Sequence, residues 1–337
     1  MELYGEVADI YLDFARYDAG TNGSHTFATW ATAVAADPEV LGWLATLPPV
    51  KRQPNLVFAA ARWHGVDAPG PYDGLRAALL GDGHDGPIRA TIMARRTQTN
   101  EVGRLATLLP AFASVASARP LALLEVGASA GLCLYPDRWG YEWVTDHGAV
   151  VLDPPGPGGS RLRCLVDGVV PGLADLDASP AVAWRGGVDL NPLDVTDADQ
   201  MAWLEQLVWP EHDDRRQLLR QAIAIARTDP PDLVRGDLLA ELPRLVEKAA
   251  AYGDVVVFHS AVIAYLEPEG RLQFDALIRG LVAEGACHWV SNEGKNVLPS
   301  VTATGPQISP ETATFVLGID GSAVAHTHGH GRSMTWL

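Results

Sequence analysis

Residues 125–131, Glu-Val-Gly-Ala-Ser-Ala-Gly, place an acid, a hydroxyl and two glycines in one short segment. The apolar residues 121–124 precede it and predict a strand that is buried on both faces. Residues 132–139 follow the turn and predict the start of a helix, whose first turns Pro136 ends or bends. A strand that leads through a glycine turn into a helix forms the nucleotide-binding corner of open α/β sheets. Gly127-x-Ser129-x-Gly131 is also the pattern of a hydrolase nucleophile elbow. The segment alone therefore leaves a cofactor-binding turn and a nucleophile both open.

Acids also follow the next two predicted strands. Asp189 ends a predicted strand over 181–189, and Gly236-Asp237 follows a short one that begins at Asp232. Because ligands of open α/β sheets bind at the carboxyl ends of the strands, we expect Asp189 to hold a ribose diol. The alternatives are that Asp189 forms a turn and that Asp237 caps the next helix.

Further polar candidates lie before and after these strands. His259 and Ser260 end a predicted strand over 254–260, and His259 is a candidate general base because its pKa is naturally near the working pH. The alternative is a histidine that forms hydrogen bonds without transferring a proton. Asn100, Glu101 and Arg104 fall within one turn of a predicted helix over 88–113. They either close over a bound cofactor or form an exposed polar face.

The spacing of the histidines and cysteines along the chain does not predict a metal site. His326, His328 and His330 alternate as metal ligands on a strand would, but glycines interrupt the run and no acid or cysteine is near. The three cysteines lie far apart in the chain, which fits neither a disulfide framework nor a metal site. The acidic N-terminus does not fit a signal peptide, so we expect a reducing cytoplasm.

Two domains are predicted to position these residues. Residues 1–119 have helical periodicity and form a cap or substrate domain. Residues 120–337 alternate strands and helices and form a doubly wound α/β sheet, with β-hairpins inserted at about 141–180 and a C-terminal hairpin that turns at Asp320-Gly321. Helices rather than further strands precede the strand that begins at Leu121, and this order disfavours the hydrolase, whose nucleophile strand follows several others.

Composition restricts the partners. The net charge is −16 and the pI about 4.9, which disfavours a nucleic acid or an anionic membrane surface. No segment is long and apolar enough to predict a spanning helix. The remaining expectation is a small-molecule partner, and the sequence predicts no oligomeric state.

Several phrases resemble an actinobacterial family, domain of unknown function 2332. They are Gln53-Pro-Asn-Leu, Gln98-Thr-Asn-Glu-Val-Gly-Arg104, Glu125-Val-Gly-Ala-Ser-Ala-Gly-Leu, Asp189-Leu-Asn-Pro-Leu-Asp194, Phe258-His-Ser-Ala, Ser291-Asn-Glu293 and the histidine-rich C-terminal hairpin. The phrase at 125–131 also resembles the first motif of class I S-adenosylmethionine methyltransferases. Their typical layout is a Rossmann-like sheet closed by an antiparallel C-terminal strand.

This resemblance implies a cofactor, S-adenosylmethionine, and a set of contacts. It places Asp237 where such proteins bind the adenine amino group. The residues expected to contact the cofactor are Asn100, Glu125, Gly127, Ala128, Ser129, Gly131, Asp189, Leu190, Gly236, Asp237, Leu238, His259 and Ser260. The expected function is methyl transfer to a small molecule, with His259 as the catalytic candidate. The alternatives are a non-catalytic S-adenosylmethionine or nucleotide binder and, third, a serine hydrolase that uses Ser129.

Overall fold

One sheet contains all the strands of the computed structural model, which describes residues 2–20, 23–98, 100–156 and 159–337. Thr99 of the family phrase 98–104, Met1 of the acidic N-terminus and part of the predicted hairpin segment, residues 157–158, lie outside the described residues. The strands are β1 (Leu121–Val126), β2 (Gly140–Thr145), β3 (Gly148–Leu152), β4 (Arg161–Asp167), β5 (Val182–Asp189), β6 (Asp232–Arg235), β7 (Asp254–Ser260), β8 (His288–Gly294), β9 (Phe315–Ile319), β10 (Ser322–Thr327) and β11 (Ser333–Trp336).

The strand β1 lies between β5 and β7 and is parallel to both. All six of its side chains are buried, as the apolar run predicts for a central strand. Across the sheet the order is β3-β2-β4-β11-β10-β9-β8-β7-β1-β5-β6. From β1 the chain adds β5 and β6 on one side and β7 and β8 on the other, so the strand order reverses at β1. The predicted α/β class with a mainly parallel sheet is therefore confirmed.

The inserted strands extend this sheet. β2 and β3 form an antiparallel hairpin, as predicted, but β4 runs parallel to β2 and also parallel to β11. The C-terminal hairpin is confirmed, since β9 and β10 are antiparallel and turn at Asp320-Gly321. Both turn residues have positive φ, 49° and 83°, which is the geometry that favours Asp-Gly in a tight hairpin.

All the elements that the structure describes before β1 are helical, as predicted. The helices are α1 (Glu2–Asp13), α2 (His25–Ala35), α3 (Pro38–Ala45), α4 (Pro54–Trp63), α5 (Tyr72–Asp82), α6 (Pro87–Ala94), α7 (Leu105–Val115), α8 (Ala198–Leu207), α9 (Asp213–Thr228), α10 (Leu238–Ala250), α11 (Pro268–Ala283) and α12 (Pro299–Thr302). A π-helical segment, Phe14–Ala19, continues α1, and short 3-10 turns occur at Pro49–Lys51, Val102–Arg104, Leu132–Leu134, Pro136–Arg138 and Ile263–Tyr265.

Two helix predictions were wrong. The predicted helix over 88–113 is two helices, α6 and α7, because Arg95 has extended backbone (φ −97°, ψ 169°) and the Glu101 side chain caps a separate short turn. No α-helix follows the glycine turn after β1. Gly131 is left-handed there (φ 68°), and Pro136 starts a second 3-10 turn, so the chain never completes an α-helical turn.

The chain divides into two units. One is Met1–Thr99 with Ala198–Arg220, and the other is Asn100–Asp197 with Gln221–Leu337. These units differ from the domains predicted with a boundary after residue 119. The first, here called the helical unit, includes α8 as well as helices before β1. The second contains the sheet and α7. The core of the helical unit includes the buried Trp203 of α8. No helix in the described residues meets the length and apolarity that a membrane crossing requires.

Helices cover the sheet on two faces. Leu242, Leu245, Val246 and Ala249 form one apolar stripe of α10, spaced by three and four residues, and pack with the inward residues of β1 and β7. On the opposite face α7 packs against the sheet, where the rings of Phe112 and Phe258 are 5.2 Å apart.

Candidate functional site

The carboxyl ends of β1, β5, β6 and β7 lie at one edge of the sheet, because these four neighbouring strands are parallel. In open α/β sheets ligands bind outside this edge, at the point where the strand order reverses. The predicted residues that follow these strands therefore share one edge. How far each side chain faces outward differs among them.

The turn after β1 has three residues with positive φ, Gly127 (70°), Ser129 (51°) and Gly131 (68°). Its amides at Gly127 and Ala128 donate to the carbonyl of Val188, which attaches the turn to the end of β5. A Cβ added to Gly127 would lie 2.1 Å from Cγ2 of Val262. The missing side chain thus makes room for Val262, and a ligand takes this space beside the glycine only if Val262 moves.

Ser129 is 4% exposed and is held from two directions. Its amide donates to Oδ2 of Asp189 at 2.9 Å, and its hydroxyl accepts from Nδ2 of Asn100 at 2.5 Å. Asn100 also accepts from the amide of Leu132. The prediction that Asn100 and Ser129 belong to one site is therefore consistent with their direct contact.

Asp189 supports the same turn through its carboxylate. Oδ1 accepts from the amide of Asn191 at 2.7 Å, in addition to the bond that Oδ2 receives from Ser129. Asp189 therefore forms a turn, the alternative considered from the sequence. Each oxygen keeps a lone pair for a further donor, so a ribose contact stays open. Its neighbour Leu190 is 67% exposed.

Asp237 caps the N-terminus of α10, accepting from the amides of Leu239 and Ala240 at 2.8 and 3.3 Å. It is exposed, so the cap and a ligand contact are compatible. The amide of Gly236 donates to the carbonyl of Asp189 and links the ends of β5 and β6. Leu238 begins α10 and packs partly against the core.

His259 is completely buried: it lies next to the carboxyl end of β7, but its side chain points into the core. Strand alternation places it on the α10 side of β7, with Val255 and Val257. Nδ1 is 2.8 Å from Oε1 of Glu293, and Nε2 accepts from the indole of Trp289 at 3.0 Å. Because the indole only donates, Nε2 is unprotonated and Nδ1 carries the proton. Both ring nitrogens are occupied, so the structure gives His259 the structural role and not that of a base in contact with substrate.

Glu125 differs from its neighbours because one of its oxygens has no partner. The residue is 8% exposed, and Oε2 is buried without a hydrogen bond. Burial raises the pKa of this carboxyl well above its ordinary 4.5, against the attraction of Arg104 and with a further increase from Asp189. Burial likewise raises the pKa of the nearby Cys133 thiol, and Glu125 adds to the effect.

Several polar residues at this edge have roles that the sequence did not predict. Arg104 is 6% exposed and donates to the carbonyls of Gly329 and Ser260 at 2.7 and 3.1 Å. Asn292 donates to the hydroxyl of Ser260 and accepts from Thr327. The sequence signals were the family phrases that contain Arg104 and Asn292 and, for Arg104, its place beside Asn100 and Glu101. Hydrogen bonds between distant strands leave no local pattern in the sequence.

The histidine run has hydrogen-bonding roles. Nδ1 of His330 is 3.1 Å from Oε2 of Glu101, and Nδ1 of His328 accepts from the amide of His330. His326 lies within β10, opposite Thr335 of β11. Among the residues described, no group of three or more histidines, cysteines or acids is arranged to hold a metal ion.

The arrangement is an acidic edge. An acid ends or follows each of three adjacent strands, β1, β5 and β6, while the buried guanidinium of Arg104 is directed to backbone carbonyls. Arg235 ends β6 and adds one exposed cation, which donates to the carbonyl of Leu190 at 3.4 Å. With three acids, such an edge still favours a cation or hydrogen-bond donors over a phosphate. The absence of a helix after β1 also removes the helix N-terminus that binds a pyrophosphate in dinucleotide folds.

Comparison with known proteins gives one result. A family model described as "uncharacterized protein conserved in bacteria", DUF2332, matches residues 67–336. No curated protein and no solved structure matches the chain significantly. The family match covers most of the chain and includes the sheet, the turn after β1 and the acidic edge. The chain therefore belongs to the DUF2332 family of uncharacterized bacterial proteins.

Proposed function

We propose that the protein binds S-adenosylmethionine at the carboxyl edge of β1, β5 and β6 and transfers its methyl group to a small molecule. The observation that carries the proposal is the row of three acids, Glu125, Asp189 and Asp237, at the ends of adjacent parallel strands. S-adenosylmethionine suits this row because it has a diol and an adenine amino group as donors, two cationic centres and no phosphate. The strand order, which reverses at β1, favours a Rossmann-like sheet.

The chain's own groups fit this ligand in part. The unpartnered oxygen of Glu125 is a buried acceptor, and Asp189 keeps free lone pairs beside the turn. Val262 fills the space beside the Cα of Gly127, so a ligand that occupies this space must displace the Val262 side chain. When bound, the cofactor supplies an activated methyl group. The protein's part is to orient it and to exclude water, because positioning alone accelerates such a transfer.

Two observations favour alternatives. The buried His259 leaves no predicted general base, which favours a binder without catalysis. The positive φ of Ser129 between two glycines is typical of a nucleophile elbow, which favours the hydrolase. However, the partner of the Ser129 hydroxyl is the amide of Asn100, and an amide is not a base. A fluorophosphonate probe that labels Ser129 would support the hydrolase.

Isothermal titration tests the ligand. We expect S-adenosylhomocysteine to bind, with NAD, FAD and ATP at least about tenfold weaker because their phosphates meet the acidic edge. Asp189→Asn should weaken binding at least about tenfold, since the charge of the acceptor is lost. The variant also turns an amide donor toward the backbone amide of Ser129 or Asn191, so denaturant unfolding must first show that it keeps the wild-type fold. Glu284→Gln is the matched control, because Glu284 is exposed and lies at the end of α11. Tight NAD binding that Asp189→Asn weakens, without a response to S-adenosylhomocysteine, would contradict the proposal.

Methyl transfer is tested separately from binding. With radiolabelled S-adenosylmethionine and a bacterial metabolite extract, an enzyme transfers label to an acceptor, and Asp189→Asn reduces that transfer in parallel with binding. Binding without any transfer would leave only the non-catalytic binder.

A further inference from the structure

Arg95 and Arg96 follow α6 in the helical unit, and only Arg95 is neutralised. The Arg95 guanidinium lies 5.6 Å from the ring centroids of both Trp63 and Trp203. Its Nη2 is 2.6 Å from Oδ2 of Asp199. The two rings and the carboxylate satisfy this cation.

Arg96 is exposed, and its side chain forms no ion pair within the described part of the chain. Its backbone is nevertheless fixed, because its carbonyl accepts from the indole of Trp203 at 2.9 Å. The preceding carbonyl, that of Arg95, accepts from Nζ of Lys51 at 2.6 Å. The ammonium of Lys51 is thus fixed on the peptide that leads into Arg96.

Lys51 likewise has no carboxylate partner among the residues that the structure describes. It is half-buried, and the charged group that acts on it is Arg96. Burial and the Arg96 guanidinium lower the pKa of the Lys51 ammonium. Lys51 and Arg96 are therefore two cations without a carboxylate partner among the described residues, and the first is fixed on the peptide carbonyl that precedes the second, in a chain with 41 acidic and 25 basic residues. Their repulsion is unfavourable unless an anion joins them.

The side chains around this pair are already bound to one another. The Thr97 hydroxyl donates to Oε1 of Gln53 at 2.7 Å, and the Gln53 amide donates to the carbonyl of Val50. The donors of Lys51 and Arg96 remain, since the ammonium has used one of three and the guanidinium side chain none of five in the described structure. A group that accepts several hydrogen bonds and carries two negative charges matches them. A phosphate monoester is such a group, whereas one carboxylate neutralises only half of the charge.

We propose that Lys51 and Arg96 form a binding site for the phosphate group of a small-molecule ligand. This site belongs to the helical unit alone and does not depend on the proposed S-adenosylmethionine site. The ammonium supplies a point charge, and the planar guanidinium supplies paired donors for two phosphate oxygens.

Titration of the full-length protein with inorganic phosphate, glycerol 3-phosphate and acetate, at an ionic strength held constant with sodium chloride, tests the site. We expect both phosphates to bind and acetate to bind at least about tenfold more weakly. Tighter binding of glycerol 3-phosphate identifies a phosphate ester as the ligand, and tighter binding of inorganic phosphate identifies the free anion. Phosphate binding no stronger than that of acetate overturns the proposal.

Variants locate the binding. Arg96→Gln should weaken phosphate at least about tenfold, and Arg96→Lys should restore part of the affinity because it keeps the charge without the paired donors. Arg16→Gln is the control, an exposed arginine of the same unit. Lys51→Gln should act like Arg96→Gln. Because Arg96→Gln removes no described side-chain hydrogen bond, its melting temperature should match that of the wild type, and unchanged phosphate affinity in this folded variant overturns the proposal.

Discussion

At Glu125 burial and neutral pH act in opposite directions, because burial favours the neutral carboxyl group and neutral pH favours the charged one. Glu125 is the acid of the central strand β1. It is almost fully buried, and one of its oxygens has no hydrogen-bond donor. Burial raises the pKa of this carboxyl, so the folded protein holds its proton more tightly than the unfolded chain does. A buried acceptor without a partner is costly for a fold and useful to a ligand.

The pH dependence of stability follows from this shift. Because the folded pKa is the higher one, the contribution of Glu125 to stability is fully present below pH 4.5 and is lost as the pH rises through the folded pKa. We expect Glu125→Gln to remove this loss and to raise the free energy of unfolding at pH 8 by on the order of 1 kcal/mol relative to wild type. Denaturant unfolding between pH 5 and pH 9 measures it.

Glu284→Gln is the control for this pH series, because Glu284 is exposed. It should leave the pH dependence of the wild type unchanged. A wild type whose stability changes with pH no differently from that of Glu125→Gln would show that Glu125 does not titrate in this way.

At the residue scale the sequence predicted which strand or turn contains a candidate residue better than the direction in which its side chain points. The strand 254–260 was predicted because it is apolar, but Val-Val-Val-Phe has the same character on both faces, so alternation could not show which way His259 points. The partners of His259, Trp289 and Glu293, come from the neighbouring strand β8. Asn100 contacts Ser129, another predicted site residue, although it lies in a loop and not on the predicted helix.

The turn after β1 is an element whose packing differs from its predicted role. Gly127 was expected to leave room for a cofactor, and in the structure that room contains Val262. The loss of the predicted helix after this turn has a local cause, the left-handed Gly131 and Pro136. Continuous apolar runs identified the central strands, because burial on both faces requires them. The conformation of this short loop depends instead on contacts with the segment after β7.

Substitution of Gly127 by alanine tests this packing, with Gly285 as a matched site. Both glycines have φ of 70°, but nothing lies within 4 Å of a Cβ added to Gly285. Gly285→Ala should cost about 1–2 kcal/mol from backbone strain alone. Gly127→Ala should cost about 1–3 kcal/mol more, because the methyl group overlaps Val262. Chemical denaturation of both variants gives the difference.

A second substitution identifies the cause of that difference. Val262→Ala removes the overlapping methyl groups, so the double variant with Gly127→Ala should recover part of the added loss. Equal destabilisation by the two glycine substitutions would show that Val262 yields easily, and the turn would then be open to a ligand.

At the scale of the whole molecule, the chain order does not follow the units. Residues 198–220 leave the sheet between β5 and β6 and complete the helical unit, whose core includes Trp203 and Trp209. A single boundary placed along the sequence could not show this. The residue types in α8 do not distinguish a helix of the helical unit from a helix that covers the sheet. The predicted boundary after residue 119 also assigns α7 to the helices.

The placement of α7 leads to a prediction about fragments. Fragments 100–337 and 120–337 differ only in residues 100–119, which contain α7, and in both of them residues 198–220 are replaced by the same glycine-serine linker. We expect 100–337 to unfold cooperatively, because α7 covers one face of the sheet through Phe112 and Phe258 and its Ala106 carbonyl accepts from the indole of Trp143. Fragment 120–337 exposes that apolar face and should aggregate or lack a cooperative transition. Thermal unfolding followed by circular dichroism, with gel filtration, compares them. Equal stability of the two fragments would show that α7 is dispensable for the sheet and that the boundary after residue 119 is the structural boundary.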